Sequence, residues 1–241
     1  MAVLALAVRT FFGFPASVPT GSMEPTIQGT QIEDLDLAPE APPAIDSWVS
    51  WLRNWIHGVR ILAPRAEEEG RLSLLDPVPT RFAPWLTRQR LQVGARVYYL
   101  WNGPREFLEI LSVEAGDEFE QGDLLFQAKL TSGDWLWVDR IRANFGRMTP
   151  GRVVVWENRG VTQLPQGQIF VKRVRRVDNR PSIQTQGERS SSRNQWLFLA
   201  GDNPGVSSDS REWGTVPIEW AMGIAGPILW PVSPRQLTIP R

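Results

Sequence analysis

Short β-patterned runs separated by turn-forming residues set the strongest limit on how this chain folds. From about residue 91 they follow one another closely: Arg96 to Trp101, Phe107 to Val113, Leu124 to Leu130, Trp135 to Ile141 and Val153 to Trp156. Ile169 to Val177, Trp196 to Ala200 and Gly223 to Trp230 continue the series. Many closely spaced strands with almost no helix predict a mainly β fold, with antiparallel sheets closed into a sandwich or barrel. The 20 Gly and 20 Pro fit such a turn-rich chain. At 241 residues and 42% hydrophobic composition it has enough material for a full core, in one large domain or two small ones.

Before the strands, three segments differ in character. Met1 to Val8 is apolar and is followed by Arg9, Phe11, Phe12, Phe14 and Pro15. The run falls short of the roughly 20 residues a membrane span needs, and it lacks the features of a removable signal peptide. Residues 1–18 therefore read as a remnant of an N-terminal membrane anchor, or else as an ordinary buried element. Residues 47–62 carry the best helical pattern, with Trp48, Trp51, Leu52, Trp55, Val59 and Leu62 on one face. This Trp-rich stripe is expected to pack on the protein's own sheet rather than at a bilayer. Residues 30–130 hold 16 acidic and 10 basic groups, leaving 10 acidic and 16 basic elsewhere. That shift marks an acidic insertion module, with the helix at about 47–62 and then β hairpins, set into a core formed by 19–29 and 131–241.

Formal charge is zero, so nothing in the total asks for nucleic acid. There is no cysteine, which excludes disulfides, thiolate metal sites and a thiol nucleophile. His57 is the only histidine and falls opposite the Trp stripe, so a multi-histidine zinc centre is excluded and a histidine base is disfavoured. Of the 26 basic residues only Lys129 and Lys172 are lysines. Arg stays protonated in a protein, whereas Lys can lose its proton. Lys172 lies in Val171-Lys172-Arg173-Val174-Arg175-Arg176, where its neighbours are arginines and it is not. A requirement for a neutral amine explains the exception; chance in an Arg-rich chain is the other explanation.

A serine hydroxyl is a weak nucleophile and needs a base within hydrogen-bond reach. With histidine disfavoured, the remaining standard partner is a lysine whose ammonium form is opposed by burial. The α-amine of Met1 competes in principle, but nothing positions it. The candidate serine lies in Pro19-Thr20-Gly21-Ser22-Met23-Glu24-Pro25-Thr26, where Gly21 permits close backbone approach and Pro25 stiffens the exit. Ser and Thr beside Gly and Pro also simply make turns. A third segment, Gly201 to Gly214, carries hydroxyls and acidic residues spaced wrongly for an EF-hand calcium loop.

Together the boxes Pro19–Thr26, Ile169–Val174 and Gly201–Gly214, in this order, resemble those of bacterial type I signal peptidases, the membrane-bound Ser-Lys proteases of protein export. Gly133–Arg140 followed by Pro150–Val155 matches an intermediate box. The resemblance covers residues 9–29 and about 131–232. It implies Ser22 as nucleophile, Lys172 as general base and Ser207 as the hydroxyl that orients the amine. It further implies Thr20, with the Ser22 backbone amide, as the oxyanion donors, and Asp202, Asp209, Arg211 and Arg173 as ionic support, Asp209 pairing with either arginine. The implied fold is a barrel-like β core against the outer face of the cytoplasmic membrane, with no metal and no cofactor. The implied partners are that lipid surface and exported precursors with small residues before the cleaved bond, bound as an extended strand. Pro150-Gly151-Arg152 departs from the family's usual Arg-Gly-Asp, and Arg175 to Pro181 replaces its Pro-Gly-Asp turn. The span 30–130 is longer than the connection many relatives need. Two other readings remain: a catalytically idle peptide-binding module on the same fold, and a self-cleaving relative of the same Ser-Lys clan.

Overall fold

The structure, a computed structural model, describes residues 8–35, 48–79, 87–101, 114–182, 191 and 193–232. It is mainly β, built of antiparallel sheets that include a half barrel. The described residues fall into two compact units, one within 1–29 and 134–229, the other within 30–133 and Trp230–Ser233.

The first unit contains a seven-stranded sheet. Its strands are β1 (Gly13–Ser17), β9 (Trp135–Asp139), β10 (Val153–Glu157), β11 (Ile169–Asp178), β12 (Trp196–Ala200), β13 (Val216–Pro217) and β14 (Ala221–Trp230). They lie in the order β1-β9-β14-β10-β11-β12-β13. Short helices α2 (Arg140–Phe145) and α3 (Ser210–Trp213) follow β9 and precede β13. In β10 every residue from Val153 to Trp156 is buried, because successive side chains alternate between apolar clusters on opposite faces. Val154 and Trp156 join Val174, Leu197, Leu199 and Trp213 on one face. The Trp156 ring stacks 5.2 Å from Phe170 and lies 5.3 Å from Trp213 and 6.4 Å from Trp220.

The N-terminal segment is described from Val8 onward. Val8–Phe12 forms a short π turn, and β1 pairs antiparallel with β9, Gly13 opposite Asp139 and Ser17 opposite Trp135. Among the described residues no helix is long and apolar enough to cross a membrane. Residues 1–7 lie outside the described residues.

The second unit holds two small sheets. β2 (Gln31–Asp34), β8 (Ala128–Thr131) and β3 (Val59–Leu62) make one, in that order; β6 (Arg96–Trp101), β5 (Thr87–Val93), β4 (Gly70–Pro79) and β7 (Glu118–Phe119) make the other. Leu72, Leu91, Val93, Phe126 and Ala128 form its buried centre. The helix expected over 47–62 is shorter: α1 covers Trp48–Ile56. Gly58 stops it at φ +73°, a left-handed conformation that glycine adopts without strain, and β-branched Val59 and Ile61 begin β3. Of the tryptophans in the expected stripe, Trp55 is the one whose side chain is described, and it is 50% exposed. His57 serves the fold, its Nδ1 donating to the Val232 carbonyl at 3.0 Å. The strand expected at Phe107 to Val113 lies outside the described residues.

Because Trp156 is fully buried among three other rings, Trp156→Ala should lower stability by about 3–5 kcal/mol. Urea denaturation followed by circular dichroism measures the loss.

Candidate active site

β11 presents the lysine. Side chains two apart on a strand share a face, so Lys172 emerges beside Val174, and on the neighbouring strand it is registered against Val154. Both valines are fully buried, and Lys172 is only 4% exposed. An ammonium in such a setting loses most of its hydration, and burial accordingly lowers the Lys172 pKa from its ordinary 10.5 to about 8. Asp209 and Glu212 pull it upward and Arg211 pushes it down, but burial is the largest influence.

The loop after β12 supplies the amine's partner. It runs through a 3₁₀ turn at Pro204–Val206 and returns to β11 with Ser207 and Asp209. Lys172 Nζ donates to Ser207 Oγ at 3.0 Å, and Ser207 Oγ donates to Asp209 Oδ2 at 2.9 Å. Asp209 is fully buried and also accepts from the Gly201 N–H at 2.9 Å and from Arg211 Nε at 2.7 Å and Nη2 at 2.6 Å. Burial pushes the Asp209 carboxyl up, but the bonds from Arg211, Gly201 and Ser207 outweigh it and hold its pKa at about 2. At neutral pH the chain thus reads ammonium, hydroxyl, carboxylate, guanidinium, and above about pH 8 the first member becomes the free amine. Asp209 doubles as the N-cap of α3, taking the Arg211 N–H.

Ser22 sits in the 3₁₀ turn Gly21–Met23, pinned by fully buried Met23 and Ile27. It is 8% exposed, and its hydroxyl lies 3.5 Å from Thr20 Oγ1. Residues of this turn approach β11 to within 8 Å between Cα atoms. Among the described residues no hydrogen bond joins Ser22 to Lys172. The Ser22 turn is instead sewn to the loop after β12 through Asn203, whose backbone N–H donates to the Ser22 carbonyl at 3.1 Å and whose Nδ2 donates to the Gly21 carbonyl at 3.2 Å. Gly201 fills the remaining space: a Cβ there would collide with both the Ser207 hydroxyl and the Ser22 carbonyl.

The ionic support divides between two pairs. Asp209 takes Arg211, while Arg173 forks onto Asp202, at 2.7 Å from Nε and 2.5 Å from Nη2. The Arg173 and Asp202 side chains are 8% and 10% exposed, and Arg173 also donates to the Gly151 carbonyl at 2.6 Å and Thr26 Oγ1 at 3.4 Å. Burial pushes the Asp202 carboxyl up, but its hydrogen bonds and ion pairs with Arg173 and Arg175 leave it below its ordinary range. Arg173 thereby ties the Ser22 segment, through Thr26, to β11 and to the loop beginning at Gly201. Sequence reasoning does not single out Asn203 or Thr26; their proximity to the boxes in chain order is the available signal.

No protein-family model matches the chain, and a search of curated proteins finds no match. The functional reading rests on the residues and their geometry.

Lysine burial sets a stability slope with a definite sign. The unfolded chain holds the Lys172 proton up to pH 10.5 and the folded chain only to about 8. Below pH 8 both states are protonated and the folded state bears the whole cost of the buried ammonium, about 3 kcal/mol. Between pH 8 and 10.5 that cost is relieved as pH rises. Lys172→Met should therefore be more stable than the parent at pH 7, by up to ~3 kcal/mol less what the lost Ser207 bond contributed, and the gap should narrow toward pH 10. Thermal melts of both proteins across that range check it.

Proposed function

We propose that this chain is a serine endopeptidase of the signal peptidase type, with Ser22 as nucleophile and neutral Lys172 as general base. The observation that carries the reading is the buried amine of Lys172: among the described residues its one hydrogen-bond partner is a neutral hydroxyl, its pKa is brought down to about 8, and its strand lies against the Ser22 turn. A structural lysine is usually exposed and paired with a carboxylate, as Lys129 is with Glu33 at 2.9 Å.

In this mechanism an arriving peptide adds as a strand along β1, which is an edge of its sheet. Ser22 Oγ turns from Thr20 toward Lys172, gives its proton to the amine and attacks the scissile carbonyl carbon. The oxyanion takes hydrogen bonds from the Ser22 N–H and the Thr20 hydroxyl. The new Lys172 ammonium passes its proton to the leaving amine as the peptide bond breaks, leaving an acyl ester on Ser22. Water then hydrolyses the ester, with Lys172 again accepting and returning a proton. Ser207 orients the amine throughout, and Asp209, ionised and held by Arg211, fixes the Ser207 hydroxyl so that its oxygen faces Lys172.

The substrates in this reading are exported precursors with small residues before the cleaved bond, processed at the outer face of the cytoplasmic membrane. Phe11 and Phe12, 65% and 54% exposed beside β1, are suited to contact with a lipid surface there. A second reading is favoured by one observation, that the Ser22 hydroxyl faces Thr20 at 3.5 Å: an idle module that binds extended peptides without cutting them.

Cleavage of precursor peptides separates the two. Ser22→Ala and Lys172→Met should each abolish turnover while the protein stays folded, a loss of at least about a thousandfold. For the parent, kcat/KM should climb with pH and level off above about 8, as the amine is freed of its proton. Activity retained in either folded variant defeats the proposed mechanism; tight binding of peptides with no cleavage by the parent establishes the idle module.

A further inference from the structure

At the end of the seven-stranded sheet where β9 and β10 finish and β14 begins lies a cavity of about 280 Å³. Its walls include the side chains of Arg140, Arg159 and Arg193, with Asn144, Glu219 and Met222. Three cations facing one carboxylate leave a positive excess, and the partners of each group make the imbalance sharper. Glu219 is already engaged, accepting from Ser191 Oγ at 3.1 Å and from the Arg193 N–H at 2.8 Å. Arg159 is paired outside the cavity wall with Glu157 at 2.8 Å. Among the described residues, neither Arg140 nor Arg193 has a carboxylate for its guanidinium, and Arg140 Nε is buried without an acceptor. A buried donor left unmade is costly, so an arrangement of this kind calls for an acceptor from outside the chain.

We propose that this cavity is a binding site for a phosphoryl group, held by Arg140 and Arg193 with Asn144 as a further donor. Guanidinium forks match the spacing of phosphate oxygens and bind them in bidentate fashion, and a tetrahedral oxyanion fits readily in the available volume. A carboxylate fits the charge, but it offers two oxygens to two arginines and an amide, where a phosphoryl group offers three. The site is separate from the Ser22 and Lys172 machinery: none of its lining residues belongs to that hydrogen-bonded chain. Two sources carry this chemistry, a free phosphate compound and the headgroup of an anionic phospholipid. The second is suggested by Ile141, 43% exposed on the same helix as Arg140, and by the contact of α2 with the turn that bears exposed Phe11 and Phe12.

The test is calorimetric titration of the full chain with inorganic phosphate, alongside flotation with vesicles of phosphatidylglycerol or of phosphatidylcholine. Parent, Arg140→Gln, Arg193→Gln and, as an exposed control outside the cavity, Arg147→Gln are compared, with circular dichroism melts showing that each is folded. Saturable phosphate binding by the parent, weakened at least tenfold in Arg140→Gln and Arg193→Gln and unchanged in Arg147→Gln, is the expected result. Should Arg140→Gln fail to fold, Arg193→Gln, in the turn before β12, decides. Phosphatidylglycerol binding that falls in the same two variants and is competed by phosphate identifies a headgroup as the source; vesicle binding indifferent to them, with phosphate binding still lost, identifies a soluble compound. Absence of phosphate binding by the parent, or equal binding by parent and both variants, overturns the proposal. Since peptide cleavage is not the readout, a failure here is distinct from a failure of the protease reading.

Discussion

An amine held out of water is the constraint around which the first unit is arranged. Lys172 is only 4% exposed in a sheet whose adjoining valines are fully buried, and a primary ammonium there is costly unless it deprotonates or finds partners. The chain does part of both. One hydroxyl meets the nitrogen, a carboxylate stands behind the hydroxyl, and an arginine stands behind the carboxylate. Asp209 close to Lys172 raises the amine's proton affinity, while Arg211 and burial lower it. Interposing Ser207 matters because a direct Asp209 to Lys172 ion pair would fix the proton on the nitrogen. The intervening hydroxyl keeps the carboxylate near enough to order the network and far enough to leave the amine with a pKa of about 8.

Buried ion pairs seldom add net stability, since desolvation of both charges offsets their attraction. The Arg173 pair with Asp202 is better understood through what it joins. Its guanidinium reaches Asp202, Gly151 and Thr26 at once, three segments far apart in the chain, with a directionality that apolar packing lacks. Such a clamp ties the Ser22 turn to the lysine strand, the kind of positioning that the proposed chemistry depends on.

Much of the sheet is legible in the letters because period-two patterning and turn residues agree there. β6 and β12 fall on Arg96–Trp101 and Trp196–Ala200, and β10, β11 and β14 differ from expectation only by a residue or two at their ends. The differences elsewhere have physical causes. Val59 and Leu62 happen to continue the helical spacing past Ile56, although Gly58 has already reversed the backbone. The expected strand Trp135 to Ile141 stops at Asp139, whose side chain caps α2 by accepting from Arg142 N–H at 2.9 Å. β4 and β5 leave little trace in the pattern because charges and prolines interrupt Gly70–Pro79 and Thr87–Val93. Within the site, chemistry is easier to read than partnership. An isolated lysine among arginines points to a neutral amine, but which arginine serves which aspartate depends on strand register, and Asn203 acts largely through backbone bonds that leave no mark in the sequence.

Gly201 shows how little matter separates the two halves of the site. The carbonyl of residue 22 and the hydroxyl of residue 207 both press into the place a methyl group would take. A chain that had drifted to alanine there would still spell out every chemistry-bearing residue, yet the Ser22 turn and the loop after β12 would be wedged apart. Under the proposed peptidase reading, ticking off a serine and a lysine would then count such a chain as active; the vacancy beside them has to be checked as well.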